Sequence, residues 1–473
     1  MRLSAPKPIL MGAALLALFA APALFPATAL AGEPGRGFVP PVWTIFPFVG
    51  ILLSIALFPL FAPHFWEHHY PKVSGFWLVL AVILMVFSVP ENMRFSEAFG
   101  SHFFSTTEEY IAFIILLGSL FIISGGIFIT GNFQGYPLVN TAILALGAVL
   151  ASFIGTTGAA MLLIRPLIRA NKSRSKQTHI YVFFIFIVCN VGGTLTPIGD
   201  PPLFLGFLQG IPFEWTLRLT PEWAFVNGML LIYFYLIDRF QVTPSDFTPS
   251  KEKMKVEIQG GINFVLLLGV VGAVISSGVL HLDVYHFGSL GELHGQNLLR
   301  DGLQILLAVL SLLITSKAVR EANHFSFEPI KEVAYLFVGI FATMIPALML
   351  LNARGGELGL DTPAKYFWAT GSLSSFLDNA PTYLTFLATA MGSLGLTEAV
   401  QMTQSPGPEA ILVGISLGAV FMGAMTYIGN GPNFMVKAIA ERSGIPMPSF
   451  FGYMIYSVLI LLPLFVLMTL LFL

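Results

Sequence analysis

Cysteine is almost absent from this chain. Cys189 stands alone among 473 residues, which excludes an intrachain disulfide and a cysteine-based metal cluster. Charge is scarce as well: 10% of residues are Asp, Glu, Lys or Arg, against about 25% in soluble domains. A net charge of −2 offers no electrostatic basis for a nucleic-acid partner. Nothing resembles a phosphate loop, so direct drive by ATP is not expected. No catalytic residue set stands out; an enzyme is not expected, nor a cofactor. What is plentiful is apolar sequence, with 56% hydrophobic residues and a mean hydropathy of +0.81. That is the composition of an all-α polytopic membrane protein, multi-pass and surrounded by lipid.

Residues 1–31 read as a secretory signal. Arg2 and Lys7 form a basic start, Ile9–Leu24 an apolar stretch, and Ala29-Leu30-Ala31 a small-x-small cleavage site. The alternative is an uncleaved first helix broken by Pro22 and Pro26. Cleavage would leave the mature N-terminus outside a bacterial-type inner membrane. Residues 32–238 then form a first transmembrane repeat, 239–261 a cytoplasmic linker, and 262–473 a second repeat.

Spans of about 20 apolar residues are expected at Trp43–Phe61, Phe76–Val89 and Tyr110–Thr130. Polar connectors are expected between them: APHFWEHHYPKVS, and an acidic stretch with Glu91, Glu97, Glu108 and Glu109. The HEHH-like clustering of His64, His68 and His69 reads as a wet membrane-flanking loop, with metal binding as the alternative. From Leu138 an apolar run meets Gly155-Thr156-Thr157-Gly158 and resumes as AAMLLIRPLI. Two halves split by a Gly/Thr knot suit a re-entrant hairpin. Arg165, Arg169, Lys172, Arg174 and Lys176 follow with no acid among them, which marks the cytoplasmic side. A half-span then runs into GGTLTPIGDPP, where glycine and proline must break any helix.

The second half repeats this pattern. Ser374–Thr385, SSFLDNAPTYLT, places Asp378 inside a long apolar segment. A carboxylate at membrane depth is costly and marks an ion or proton pathway. The alternative is an extramembrane loop with Asp378 as a helix cap. GAMTYIGNGPN (Gly423–Asn433) forms a second break. SFIGTTG at Ser152 matches SFLDNAP at Ser375, and TPIGDPP at Thr196 matches TYIGNGP at Thr426. Five spans separate the two hairpins, so the second opens to the outside. This is an inverted-repeat transporter plan, with two re-entrant hairpins and two broken transmembrane helices.

GTTGAAMLLIRP followed by GGTLTPIGDPPLFLGF resembles the hairpin and broken-helix signature of the ion transporter superfamily, and SSFLDNAPTYL and GAMTYIGNGPN resemble its second copy. That group includes citrate and dicarboxylate carriers, arsenite pumps and NhaD-type sodium/proton antiporters. The resemblance implies a homodimer moving substrate by an elevator-like displacement. Dicarboxylate carriers of this fold hold substrate with a Ser-Asn-Thr triplet at both tips. Here the tips are Gly155-Thr156-Thr157 and Asp378-Asn379-Ala380. A fixed carboxylate repels a polyanion unless protonated or cation-paired, so the favoured expectation is Na⁺ (or Li⁺) exchange for H⁺ in the inner membrane. A Na⁺- or H⁺-coupled citrate or dicarboxylate carrier is the alternative, and a channel or structural subunit a third.

Asp378 is expected to titrate, and Asp200 to be a second ligand or proton carrier; together they are the expected transient Na⁺ ligands. Asp200 capping the half-helix after it is the competing reading. Thr156, Thr157, Asn379, Thr196, Thr426, Asn430 and Asn190 supply neutral oxygens suited to a hard cation. Gly199 and Gly429 are read as exposing nearby carbonyls, or else as close-packing positions. Half-helix N-termini after each break add partial positive charge, which favours an anion. Arg165 is read as an interfacial residue.

Overall fold

The computed structural model describes residues 38–131, 134–243, 246–247, 256–280, 282–288 and 291–473. The signal-peptide stretch and Lys251, Lys253 and Lys255 of the linker lie outside them. Nine helices among the described residues are long and apolar enough to cross a membrane. Strand is confined there to two two-stranded antiparallel ribbons. In one, β1 (Phe128–Gly131) pairs β2 (Val256–Gln259); in the other, β3 (Val284–His286) pairs β4 (Glu292–His294).

Both halves follow one order of parts. The first has three long helices, α1 (Phe46–Phe61), α2 (Pro63–Ser88) and α3 (Phe95–Ser124). A helical hairpin of α4 (Pro137–Ile154) and α5 (Thr156–Ala170) follows, then a broken helix of α6 (Thr178–Ile187) and α7 (Pro201–Leu208), and a single helix α8 (Thr220–Gln241). The second has α9 (Ile262–Val279), α10 (Gly295–Ile314), a short α11 (Lys317–Ala322) and α12 (Glu328–Arg354). Its hairpin is α13 (Pro363–Ser374) and α14 (Asn379–Leu394), its broken helix α15 (Pro406–Met422) and α16 (Gly431–Arg442), and its last helix α17 (Phe450–Phe472).

Two expected connectors are helical instead. The stretch after Ala62 belongs to α2, which starts on Pro63 and carries Pro71 inside it. Proline at the first helical position gives up an N–H that has no partner there anyway. From Glu97 onward the acidic stretch is the outer half of α3. The Arg94 N–H donates to Glu97 (3.0 Å), closing that terminus. Glu108 accepts from Asn297 Nδ2 (2.8 Å) and Glu109 from Gln209 Nε2 (2.9 Å). A helix longer than the bilayer core carries such groups in its ends.

The two hairpins enter from opposite faces. The open end of the first is closed by Gly135 N–H donating to Ala170 (2.7 Å). On the same face Thr178 donates to the carbonyl of Pro446, beyond α16 (2.9 Å). On the other face Trp215 Nε1 donates to Glu409 in the first turn of α15 (3.1 Å), and Arg218 pairs with Glu409 (2.9 Å). There the start of the second hairpin packs on α15: a Cβ on Gly414 would lie 2.4 Å from the Pro363 carbonyl.

Under the first hairpin lies a buried polar knot. Arg174 and His179 (Nε2, 2.8 Å) both bond Asp238 Oδ1, and Asn140 Nδ2 bonds Oδ2 (3.1 Å). Asn140 and Asn171 exchange side-chain bonds of 2.9 and 2.8 Å. Asp238 is wholly buried, so its charge persists only because these donors replace water. Thus α4, α5, α6 and the end of α8 share one ionic anchor. Just beyond α8, Asp246 accepts from the N–H groups of Thr243 (2.8 Å) and Ser175 (2.9 Å). Burial raises its pKa, but those N–H donors outweigh it and hold the carboxyl at about 2.

Two outcomes follow in detergent unfolding. Asp238→Ala strands Arg174 and should cost about 3–5 kcal/mol; Arg174→Met combined with Asp238→Leu should recover part of that loss. Asp246 has a folded pKa below the unfolded value of about 3.9, so its contribution is full above that pH and is lost as pH falls toward 2. Asp246→Asn should therefore lower the unfolding temperature at pH 7, with the difference from wild type closing between about pH 4 and pH 2.

Candidate functional site

Each hairpin tip is clasped to the break in its own repeat, and two of the bonds recur in both copies. In the first, Ser152 Oγ donates to Gly192 (2.6 Å), Thr196 Oγ1 to Ser152 O, and Thr156 N–H to Gly199 (2.9 Å). In the second, Ser375 Oγ donates to Met422 (3.2 Å) and Thr426 Oγ1 to Ser375 O (2.5 Å). These bonds satisfy carbonyls freed where the helix is interrupted, as membrane depth demands. The approach is close enough to require glycine: a Cβ on Gly199 would lie 2.1 Å from the Gly193 carbonyl, and one on Gly429 2.6 Å from that of Gly423. So Gly199 and Gly429 serve close packing, and Thr196 and Thr426 are clasps.

At the centre lies Asp200, 1% exposed. It is the N-cap of α7, in extended conformation (φ −145°, ψ 143°), yet its side chain caps nothing. Its repeat counterpart Asn430, N-cap of α16 (φ −152°, ψ 139°), does not cap either. The two side chains turn toward each other instead, with Asn430 Nδ2 donating to Asp200 Oδ1 (3.2 Å). Thr156 Oγ1 donates to the same oxygen (3.0 Å), and Asn379 Nδ2 to Oδ2 (2.6 Å). Thr156 and Asn379 are also counterparts, each the first residue of the inner arm of its hairpin. The N-termini of α5, α7, α14 and α16 thus converge on one carboxylate. Their partial positive charge and their side-chain donors stabilise it out of water.

A second layer holds these donors. Asn190 Nδ2 donates to Ile185 O and Asn433 Oδ1, both at 2.8 Å. Asn433 Nδ2 donates to Gly423 O (2.8 Å) and Thr426 O (2.9 Å), and Asn430 Nδ2 also reaches Cys189 O (3.0 Å). Asn379 Oδ1 is buried without a hydrogen-bond partner.

The two expected carboxylates play different parts. Asp378 is half-buried and caps α14, accepting from the Ala380 N–H (3.0 Å). It stands near enough for its charge to act on Asp200. Thr157 is half-buried beside Thr156 and is not among the donors to Asp200. Arg165 points away, donating to the Asn323 carbonyl. Sequence reading passed over Ser152, Ser375 and Asn433. The serines open both copies of the matched tip motif, and Asn433 closes GAMTYIGNGPN, so the signal was present but lay at motif edges.

The groups around Asp200 are one hydroxyl and two amides, all turning hydrogen-bond donors toward the carboxylate. Converging helix N-termini also suit anionic groups. A family model described as "Putative citrate transport" matches residues 39–473. Among curated proteins, the chain is similar to uncharacterised transporters of Mycobacterium tuberculosis and Mycobacterium bovis, each 27% identical over 361 residues, covering 71% of this chain and 79% of the relative. It is also similar to a 46 kDa membrane protein of Mycobacterium leprae, 25% identical over 364 residues with the same 71% and 79% coverage. Because the family match runs from just inside the first described residues to the C-terminus, the chain belongs to this citrate-transport family of multi-pass membrane transporters.

Proposed function

We propose that the protein is a secondary transporter of the inner membrane that exchanges Na⁺ or Li⁺ for H⁺, with Asp200 as the shared ligand. The observation that carries this reading is one buried carboxylate bonded by Thr156, Asn379 and Asn430, from both hairpins and the second break. In the described arrangement these groups turn donors toward an anion. Rotating the terminal amide of Asn379 presents its now unpartnered oxygen to the same point. Asp200, Thr156 Oγ1 and the Asn379 amide oxygen then form an oxygen shell for a small cation. A proton on Asp200 removes the charge that holds the cation. Competition between H⁺ and Na⁺ for one carboxylate is sufficient for exchange, and the negative charge of Asp378 nearby favours either cation. Asp378 itself is assigned a flanking role.

The second reading, coupled citrate or dicarboxylate transport, is favoured by the family description and by the converging helix N-termini. It requires Asp200 to be protonated or cation-paired whenever a substrate carboxylate is bound.

In everted vesicles with an imposed pH gradient, added Na⁺ or Li⁺ should dissipate the gradient, and Asp200→Asn should reduce this to background. Asp378→Asn should retain measurable exchange. Asn379→Ala removes the amide oxygen that the rotated side chain offers the cation, so the half-saturating Na⁺ concentration should rise about tenfold, ~1.4 kcal/mol. Below the titration midpoint, wild-type half-saturation should rise about tenfold for each unit fall in pH, the signature of proton competition. Labelled citrate uptake with no cation-driven proton movement would reject exchange in favour of the second reading.

A further inference from the structure

Outside the transport site, the first two turns of α2 bring together His64, Glu67 and His68. At spacings of three and four they share one helix face. All three are exposed, and one ligand atom from each lies within 4.8 Å of the others. We infer that His64, Glu67 and His68 form a binding site for a late first-row divalent cation of the Zn²⁺ class, separate from Asp200.

The geometry goes beyond proximity. His68 Nδ1 lies 2.9 Å from the carbonyl of His64. A carbonyl only accepts, so Nδ1 carries the proton and Nε2 is left with its lone pair directed outward. A backbone acceptor on the other ring nitrogen is the arrangement that orients metal-ligating histidines. The rings of His64 and His68 lie 4.6 Å apart, centroid to centroid. Zinc–nitrogen bonds of about 2.0–2.1 Å need the ligand atoms somewhat closer than they stand. Exposed side chains reach that by small rotations.

The support is rigid. Pro63 fixes the start of the helix, and buried Trp66, between the histidines, stacks on Phe58 of α1 at 6.0 Å. Across from Glu67, the first turns of α12 supply Glu332, close enough for the two charges to interact. The nearby Lys331 is occupied by Glu328 (3.0 Å), which leaves Glu67 without that lysine as a partner. A divalent cation relieves the repulsion between Glu67 and Glu332. Two imidazole nitrogens with one carboxylate select zinc, nickel or copper over magnesium or calcium, which prefer all-oxygen shells.

The test is calorimetric titration of ZnCl₂ into the purified full-length protein in detergent, free of any histidine tag. The expected result is one saturable equivalent, with affinity at least tenfold weaker in the His64→Ala, His68→Ala double variant and unchanged in His69→Ala. Both substitutions lie on an exposed helix face and favour helix, and an unchanged unfolding temperature without metal confirms the fold. Zn²⁺ should raise the unfolding temperature of the wild type and not of the double variant, and Mg²⁺ should do neither. No Zn²⁺ binding by the wild type, or equal binding by the double variant, overturns the assignment. Because Asp200 is untouched, Asp200→Asn should bind Zn²⁺ like the wild type whatever the outcome of the transport assays.

Discussion

A carboxylate kept out of water needs donors to replace its hydration, and Asp200 obtains them from parts of the chain that have no other reason to meet. Thr156, Asn379 and Asn430 come from two hairpins and a second break, and their bonds to Asp200 hold the centre of the molecule together. The helix interruptions make this possible. A continuous helix would spend its N–H groups on itself; a broken one leaves its first turn free to face the centre. Carbonyls at the tips and breaks are met by Ser152, Thr196, Ser375 and Thr426.

The two repeats are alike in geometry and different in charge. Asp200 and Asn430 hold the same place, with nearly the same backbone angles, but only one is acidic. Two carboxylates there would repel at contact distance, and one would be driven neutral. With asparagine in the second copy, the pair becomes donor and acceptor. Thr156 and Asn379 differ in the same productive way, one a hydroxyl and the other an amide, each taking its own oxygen of Asp200. The approximate two-fold thus builds an asymmetric site with one fixed negative charge.

A second ionic centre stands at the base of the first hairpin. Asp238, Arg174 and His179 bind the open end of that hairpin to α6 and α8. Hairpin, broken helix and following helix are thereby joined at tip and base, so that Asp200 and Thr156 belong to one rigid unit. On the same face, Asn323 caps the carbonyls of Gly125 and Ile127 (2.9 and 2.7 Å) while its own carbonyl receives Arg165. This contact connects the first hairpin to the segment between α11 and α12.

The spans, the hairpins, the breaks and the pairing of Ser152 with Ser375 and Thr196 with Thr426 could be read from residue order, because apolar run length, glycine–proline punctuation and charge bias are local properties. Helical continuity through His64–Pro71 and Glu97–Glu109 could not, since polar residues at the ends of long helices look like loop residues until the neighbours that receive them are known. The ranking of Asp378 and Asp200 was also out of reach. Both follow a break and precede a proline-bearing half-helix, and either pattern reads as a cap. Asp378 does cap its own helix, a bond two residues long. Asp200 instead meets Asn379 and Asn430, 179 and 230 residues away. Sequence by itself determined which segments must bend and which must cross; only packing decided which acid the bends would enclose, because that depends on where distant helix ends converge.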